Sequence, residues 1–120
     1  MNGRPVLVGT PDADVICGFG GNDIIDGMGG NDRIFGGPGS DTIHGGDGDD
    51  YIEGQGGDDT IYGGGGNDTL FGQTGNDTID GGTGTDTING GNGRDKIDGG
   101  ADPDDCGPVD PNDVYRINCP

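Results

Sequence analysis

The sequence predicts an all-β repeat protein made of short strands joined by glycine-rich turns. Three observations indicate this fold class: a strict nine-residue period, 32 glycines among 120 residues, and one large aliphatic residue at a fixed place in each period. Tandem self-similarity at a fixed period is typical of solenoid proteins. A chain of this length predicts one domain.

The period runs from Gly9 into the repeat that begins at Gly99, without an insertion or deletion. Its consensus is G-G-x-G-x-D-x-U-x, where U is a large aliphatic residue. The sixth place is aspartate in every repeat: Asp14, Asp23, Asp32, Asp41, Asp50, Asp59, Asp68, Asp77, Asp86, Asp95 and Asp104. The eighth place is Ile16, Ile25, Ile34, Ile43, Ile52, Ile61, Leu70, Ile79, Ile88 and Ile97.

Each repeat divides into a turn and a strand. The six residues G-G-x-G-x-D predict a turn, because glycine adopts positive φ without a Cβ clash and lets backbone carbonyl groups converge. The three residues x-U-x predict a very short strand, in which alternation directs U to one face and its neighbours to the other. Threonine at the seventh place, as in Thr42 and Thr60, suits an exposed strand position.

The composition indicates that this fold needs a cationic ligand. The chain has 23 acidic and 5 basic residues, a formal charge of −18, and all the acidic residues except Glu53 are aspartates. Only 26% of the residues are hydrophobic, too few to offset the entropy of ordering the chain. The charge argues against nucleic acid and anionic membrane surfaces as partners. No apolar run approaches the ~20 residues that a membrane span requires.

The tandem unit resembles the repeat of the RTX, or haemolysin-type calcium-binding, family, in its small secreted form. The resemblance covers Gly9 to about Asp98. It implies a right-handed parallel β-roll in which two repeats form one coil, with about five coils in all. It also implies Ca²⁺ as cofactor, about seven to nine ions per chain, held between the turns of neighbouring coils. Because the apolar core is small, we expect metal binding and folding to be coupled.

The same resemblance assigns the ligands. The side chains are those of all eleven sixth-place aspartates, Asp14 to Asp104. The backbone carbonyl ligands come from turn residues such as Gly36, Gly37, Gly39, Gly45, Gly46, Gly48, Gly54, Gly57, Gly63, Gly64, Gly66, Gly72, Gly75, Gly81, Gly82, Gly84, Gly90 and Gly93.

Three segments follow from the register. Residues 1–8 are predicted to be an N-terminal capping strand, with Leu7 at the inward place. Residues 9–98 form the β-roll of ten repeats. Residues 99–120 form a degenerate repeat and a C-terminal disulfide cap, in which Tyr115 closes the core.

The cysteines predict an extracellular protein. Cys106 falls at an inward eighth place, and Cys119 follows thirteen residues later. We expect these two residues to form a disulfide worth about 3 kcal/mol on the chain-entropy model. Cys17 lies at an outward ninth place and is not part of this predicted disulfide. A disulfide cap indicates an oxidising setting and a secreted protein.

Catalysis finds no support in the sequence. His44 is the only histidine and lies at an outward ninth place, so no Ser/His/Asp or Cys/His set can be assembled. The stretch Asp47–Asp50 lacks the twelfth-place glutamate and the flanking helices of an EF-hand. Ice binding is disfavoured because only three outward threonines align on one face. We predict a non-enzymatic protein.

Two other functions stay open: a calcium-dependent adhesin or end-to-end filament subunit, and a non-catalytic fragment of a larger secreted RTX enzyme. The sequence also leaves open self-association through the solenoid ends, and a protein or glycan partner at the surface. The exposed aromatic residues that would form such a contact patch are Phe35, Tyr51, Tyr62 and Phe71.

Overall fold

The structure is a computed structural model that describes residues 6–108 and 110–119, with the side chains of residues 115–117 left out. The described residues form strands and turns and contain no helix. They therefore contain no helix that is long and apolar enough to cross a membrane. The strands are β1 Val6–Val8, β2 Val15–Cys17, β3 Ile24–Asp26, β4 Arg33–Pro38, β5 Thr42–Asp47, β6 Tyr51–Gly56, β7 Thr60–Gly65, β8 Thr69–Thr74, β9 Thr78–Thr83, β10 Thr87–Asn92, β11 Lys96–Asp98 and β12 Tyr115–Ile117.

All of these strands pair in parallel within two sheets. One sheet has the order β1-β3-β5-β7-β9-β11-β12, and the other has the order β10-β8-β6-β4-β2. Successive repeats therefore alternate between the sheets, and neighbouring strands of a sheet lie two repeats apart. Ile43 pairs with Ile61, for example, and Ile52 pairs with Leu70. The predicted all-β solenoid of about five coils, with two repeats in each coil, is confirmed.

The hydrophobic core consists of two aliphatic columns between the sheets. Its members are all 0–1% exposed: Ile25, Ile43, Ile61, Ile79 and Ile97 from one sheet, and Ile34, Ile52, Leu70 and Ile88 from the other. Leu7 and Ile16 are half-buried and pack against the N-terminal end of the core. The predicted inward place of the eighth residue is therefore confirmed, as is the additional rung at Leu7, which pairs with Ile25.

In the regular repeats, the turns depend on positive φ at two places. The fourth place is glycine with positive φ from Gly21 to Gly93. The second place also has positive φ in every repeat from Gly18 onward, even where it is not glycine. The non-glycine residues at this place are Phe19, Met28, Gln55 and Gln73, with φ of 66–80°. The second place therefore imposes a left-handed conformation that L side chains rarely adopt.

The C-terminal end is closed by the predicted disulfide. Cys106 is 4% exposed and extends the core, and it is bonded to Cys119 with a Cα–Cα separation of 5.7 Å. Strand β12 covers β11, but its register differs from the prediction by one residue. Ile97 pairs with Arg116, whereas an unbroken repeat would pair it with Tyr115. The predicted role of the Tyr115 side chain and the N-terminal residues 1–5 lie outside the described part of the structure.

Candidate functional site

The sixth-place aspartates form two buried columns, one along each edge of the solenoid where the turns stack. Ten of these eleven side chains, all except that of Asp14, are 2% exposed or less, although aspartate normally lies at the surface. One column contains Asp23, Asp41, Asp59, Asp77 and Asp95, and the other contains Asp32, Asp50, Asp68, Asp86 and Asp104. The repeats together therefore bury ten carboxyl groups, about as many as their fully buried aliphatic side chains.

Hydrogen bonds between coils order each column. The Oδ1 atom of an aspartate accepts a hydrogen bond from the backbone N–H of the aspartate eighteen residues earlier. The N–H of Asp41 donates to Asp59, and that of Asp59 donates to Asp77, both at 2.8 Å. The other column is built in the same way, as in the bond from Asp50 to Asp68 at 2.8 Å. One carboxylate oxygen of each regular turn is thus used to join neighbouring coils.

The second carboxylate oxygen is not satisfied in the same way. Eight Oδ2 atoms are buried and have no hydrogen-bond partner: those of Asp32, Asp50, Asp59, Asp68, Asp77, Asp86, Asp95 and Asp104. A buried acceptor without a partner costs about 1–3 kcal/mol, and more when it is charged. Eight such atoms in regular positions indicate that a ligand completes them.

Each Oδ2 atom lies beside the first-place glycine of its own repeat. A Cβ placed on Gly63 would lie 2.5 Å from Asp68 Oδ2 and 2.5 Å from the carbonyl oxygen of Gly81 in the next coil. The same geometry recurs at Gly27, where a Cβ would lie 2.5 Å from both Asp32 Oδ2 and the Gly45 carbonyl oxygen. A side chain at the first place would therefore fill a cradle in which oxygen atoms from two coils converge.

The structure brings some of the predicted carbonyl ligands together with the aspartates and directs others elsewhere. First-place carbonyl oxygens, such as those of Gly45 and Gly81, point towards the Oδ2 atoms. Second-place carbonyl groups are used within the ladder instead. The Gly82 carbonyl oxygen accepts a hydrogen bond from the N–H of Ala101 at 3.1 Å. The first-place carbonyl groups are therefore the ones positioned to share a ligand with the carboxylates.

The electrostatics of the columns disfavour bare negative charge. Burial is the main cause that raises the pKa of Asp59, Asp68 and Asp77 to about 7, and that of Asp50 to about 6. The backbone hydrogen bonds between coils lower these values in part, and neighbouring aspartates raise them again. Carboxyl groups in such surroundings either hold a proton or require a cation close by.

The donor set fits a hard cation. The described residues contain no group of three or more His, Cys, Asp or Glu side chains able to hold a metal ion by themselves. A site in these columns must combine one or two carboxylates with backbone carbonyl oxygens, because these are the oxygens that converge between coils. All-oxygen coordination of this kind suits Ca²⁺, which takes six to eight oxygen ligands in flexible geometry. It does not suit Zn²⁺, which is usually four-coordinate and whose structural sites are built from Cys sulfur and His nitrogen.

Asp113 is a column residue that the predicted ligand set omits. It lies eighteen residues after Asp95, at the sixth place of a repeat that lacks the turn glycines. Its Oδ1 atom accepts a hydrogen bond from the Asp95 N–H at 3.4 Å, and it is half-buried. The spacing alone would have identified it.

A second ladder runs along the outside of the turns at the fifth place, which the sequence analysis left without a role. Here the side chain accepts a hydrogen bond from the next coil. The N–H of Asn76 donates to Asp58 Oδ1 at 2.9 Å, and the N–H of Arg94 donates to Asn76 Oδ1 at 2.9 Å. The other side-chain acceptors at this place are Asn22, Ser40, Asn31, Asp49 and Asn67. The ladder holds the coils together independently of the aspartate columns.

Asp14, which the repeat also predicts as a ligand, has different surroundings from the later column residues. Its Oδ2 atom accepts hydrogen bonds from the N–H of Thr10 at 2.6 Å and from the Thr10 hydroxyl at 2.9 Å. Its side chain is only half-buried. The first turn therefore satisfies the oxygen whose equivalents in Asp32, Asp50 and Asp68 have no hydrogen-bond partner.

Aromatic side chains pack on both outer faces of the solenoid. His44 is exposed and stacks on Tyr62, with ring centroids 4.7 Å apart. On the opposite sheet, Tyr51 packs between Phe35 and Phe71, with centroid distances of 6.3 and 5.7 Å. These aromatic residues pack mainly against one another along the coils.

Comparison with known families agrees with this geometry. The chain matches the RTX calcium-binding nonapeptide repeat over residues 6–34, 35–70 and 71–105. A search of curated proteins gave no significant match. The matched segments span the solenoid, including the buried aspartate columns and the first-place glycines. The chain belongs to the family of RTX calcium-binding nonapeptide repeat proteins.

Proposed function

We propose that the chain is a secreted, non-enzymatic calcium-binding β-solenoid that folds when several Ca²⁺ ions bind between its turns. The observation that carries the proposal is the set of eight buried Oδ2 atoms without hydrogen-bond partners. A divalent cation bound there neutralises carboxylates that burial and mutual repulsion destabilise. Its function is structural: the ions hold the coils of a rod together.

The proposed ligands follow the two columns. Carboxylates of Asp23 to Asp95 on one edge, and of Asp32 to Asp104 on the other, act together with first-place carbonyl oxygens such as those of Gly45, Gly63 and Gly81. Neighbouring regular turns define four gaps on the first edge, from Asp23 to Asp95. They define three on the second edge, from Asp32 to Asp86, because the turn of Asp104 belongs to the degenerate repeat. We therefore propose about seven ions per chain, and up to about nine if the end turns contribute. Seven divalent ions carry roughly +14, close to the magnitude of the formal charge of −18.

Coupling of binding to folding is supported by the small core. Nine fully buried aliphatic residues stabilise the described solenoid, while ten buried aspartates oppose it. In the absence of metal, the repulsion within each column and the desolvation of its carboxylates favour the unfolded chain. We propose affinities of about 10⁻⁴–10⁻³ M, the range of extracellular calcium modules.

Circular dichroism with and without calcium tests the proposal. Far-ultraviolet spectra of the metal-depleted chain are expected to lack β signal, which appears as CaCl₂ is raised to millimolar concentration. MgCl₂ at the same ionic strength is the control, because Mg²⁺ demands near-ideal octahedral geometry and retains its water. Full β signal in the metal-depleted chain would argue against folding on binding. Equal effects of the two salts would argue against a calcium site.

Extracellular location is supported by the Cys106–Cys119 disulfide, since such bonds persist in oxidising compartments. Mass spectrometry of protein recovered from culture medium, with and without alkylation, would test it. A chain recovered only from the cytosol with both thiols reduced would contradict the proposed location.

The filament alternative is weaker than the structural role. Strand β12 and the disulfide cover the C-terminal end of the solenoid, which hinders head-to-tail stacking. Sedimentation velocity in calcium distinguishes the two, with a monomer expected for the rod and concentration-dependent growth expected for a filament. A role as the non-catalytic part of a larger secreted enzyme would have the same calcium chemistry.

A further inference from the structure

The turn of residues 9–14 differs from the later turns in sequence and in backbone conformation. Its second and fourth places are Thr10 and Asp12, where the repeat prefers glycine. From Gly18 onward every second place has positive φ, but the positive-φ residues of the described chain do not include Thr10 or Asp12. A β-branched residue strongly disfavours that conformation. The first turn therefore lacks the two left-handed places of the later turns, although a Cβ on Gly9 would still lie 2.6 Å from the Gly27 carbonyl oxygen and 2.8 Å from Asp14 Oδ2.

Thr10 takes over part of the role that a cation would have. Its N–H and its hydroxyl both donate to Asp14 Oδ2, at 2.6 and 2.9 Å. The Asp12 N–H in turn donates to the Thr10 hydroxyl oxygen at 3.2 Å, which orients the hydroxyl group. On the same edge, the equivalent Oδ2 atoms of Asp32, Asp50 and Asp68 are buried without a hydrogen-bond partner.

We propose that the turn of residues 9–14 is a cap that closes without metal, so that Asp14 binds no calcium ion through its side chain. The terminal repeat of a solenoid requires a cap whose chemistry differs from that of the interior repeats. Thr10 supplies the donors from within the turn itself. The calcium column on this edge then begins at Asp32. This inference rests on the proposed calcium function.

Calcium stoichiometry measured by equilibrium dialysis tests the cap. The variant Asp14→Asn is expected to bind as many ions per chain as the wild type. The matched variant Asp68→Asn, in a regular turn of the same edge, is expected to lose at least one ion. Loss of an ion in Asp14→Asn would overturn the proposal. If the wild type bound no calcium at all, the proposed function would fail first, and the two failures are therefore distinguishable.

Two further variants test the role of Thr10 directly. The double variant Thr10→Gly/Asp12→Gly restores the G-G-x-G-x-D pattern and is expected to bind one additional ion; an unchanged number would contradict the proposal. Thr10→Val keeps the shape but removes the hydroxyl donor. It is expected to lower the thermal midpoint in saturating calcium by several degrees at an unchanged ion number. Thr78→Val, at an exposed strand position, is the control, and an equal midpoint for both variants would overturn the cap.

Discussion

The backbone N–H of Asp59 donates a 2.8 Å hydrogen bond to Oδ1 of Asp77 in the next coil, while Asp77 Oδ2 remains buried without a partner. One carboxylate group therefore has two separate roles. One oxygen joins neighbouring coils through the backbone, and we propose that the other binds a cation. This relationship repeats along both edges and accounts for the aspartate at the sixth place of each repeat. Asparagine would retain the first role and lose the second, and glutamate would be too long for the same geometry.

Replacing one column aspartate should weaken calcium binding without disrupting the ladder. In Asp59→Asn the Oδ1 acceptor is kept, but the charged oxygen becomes an amide nitrogen. A lost charged interaction of about 1.5–3 kcal/mol corresponds to an increase of roughly tenfold or more in the calcium midpoint of folding. The control is Asp58→Asn, which removes the same charge from an exposed neighbour whose side chain keeps its acceptor. Equal shifts in both variants would show that net charge, rather than the column oxygen, sets the affinity.

The second place of the turn offers a stabilising substitution. Gln73 is exposed and has φ of 78°, a conformation that costs a non-glycine residue about 1 kcal/mol. Gln73→Gly is therefore expected to raise the free energy of unfolding in saturating calcium by about that amount, measured by urea denaturation. The control, Thr83→Gly, places glycine at a third place with ordinary φ and should lower stability. A loss of stability in both variants would contradict the turn geometry.

The stability of the folded, metal-depleted chain should decrease as pH rises, whereas its affinity for calcium should increase. Burial raises the folded-state pKa of Asp59, Asp68 and Asp77 from 3.8 to about 7. Between these values the folded chain binds more protons than the unfolded chain, so folding without metal becomes less favourable as pH rises from about 4 to about 7. Circular dichroism of the metal-depleted chain should show more β signal at pH 5 than at pH 8.

With calcium present, the dependence should reverse, because protons compete with the metal for the same carboxylates. The calcium midpoint is then expected to fall as pH is raised from 5 to 8. A metal-depleted chain that gains structure towards pH 8 would show that these aspartates are not buried in the way described.

The disulfide should stabilise the rod without changing its ligands. Cys106→Ala/Cys119→Ala opens a loop of thirteen residues and should lower the free energy of unfolding in calcium by about 3 kcal/mol. Cys17→Ala, which changes an exposed free thiol, should have no measurable effect. Denaturant unfolding of the three proteins makes the comparison. Similar stability of the double variant and the wild type would mean that β12 is held by other contacts.

The regular part of the fold could be predicted because one physical requirement determines the residue type at each of these places in the repeat. An aliphatic residue every nine positions predicts the inward column of Ile43 and Ile61, and aspartate at the sixth place predicts the buried columns. Both hold without exception in the regular repeats. The inward place of Cys106 follows from the same register and led to its disulfide with Cys119.

The departures lie where three-dimensional context decides the outcome. The roles of Oδ1 and Oδ2 depend on the rotamer of each aspartate between two coils, which a one-dimensional pattern does not contain. Positive φ at Phe19 and Met28 reflects the stacking of turns overriding local preference. The shifted register of β12 arises beyond the last regular turn, where the chain is no longer constrained to nine residues. The bonds from Thr10 to Asp14 likewise depend on a turn that departs from the repeat.

Isothermal titration of the metal-depleted chain with CaCl₂, followed in parallel by circular dichroism, tests the central claim most directly. The two aspartate columns predict about seven bound ions per chain, with the β signal developing over the same range of calcium concentration. Binding of fewer than about four ions, or a β signal already complete before any calcium is added, would contradict the account.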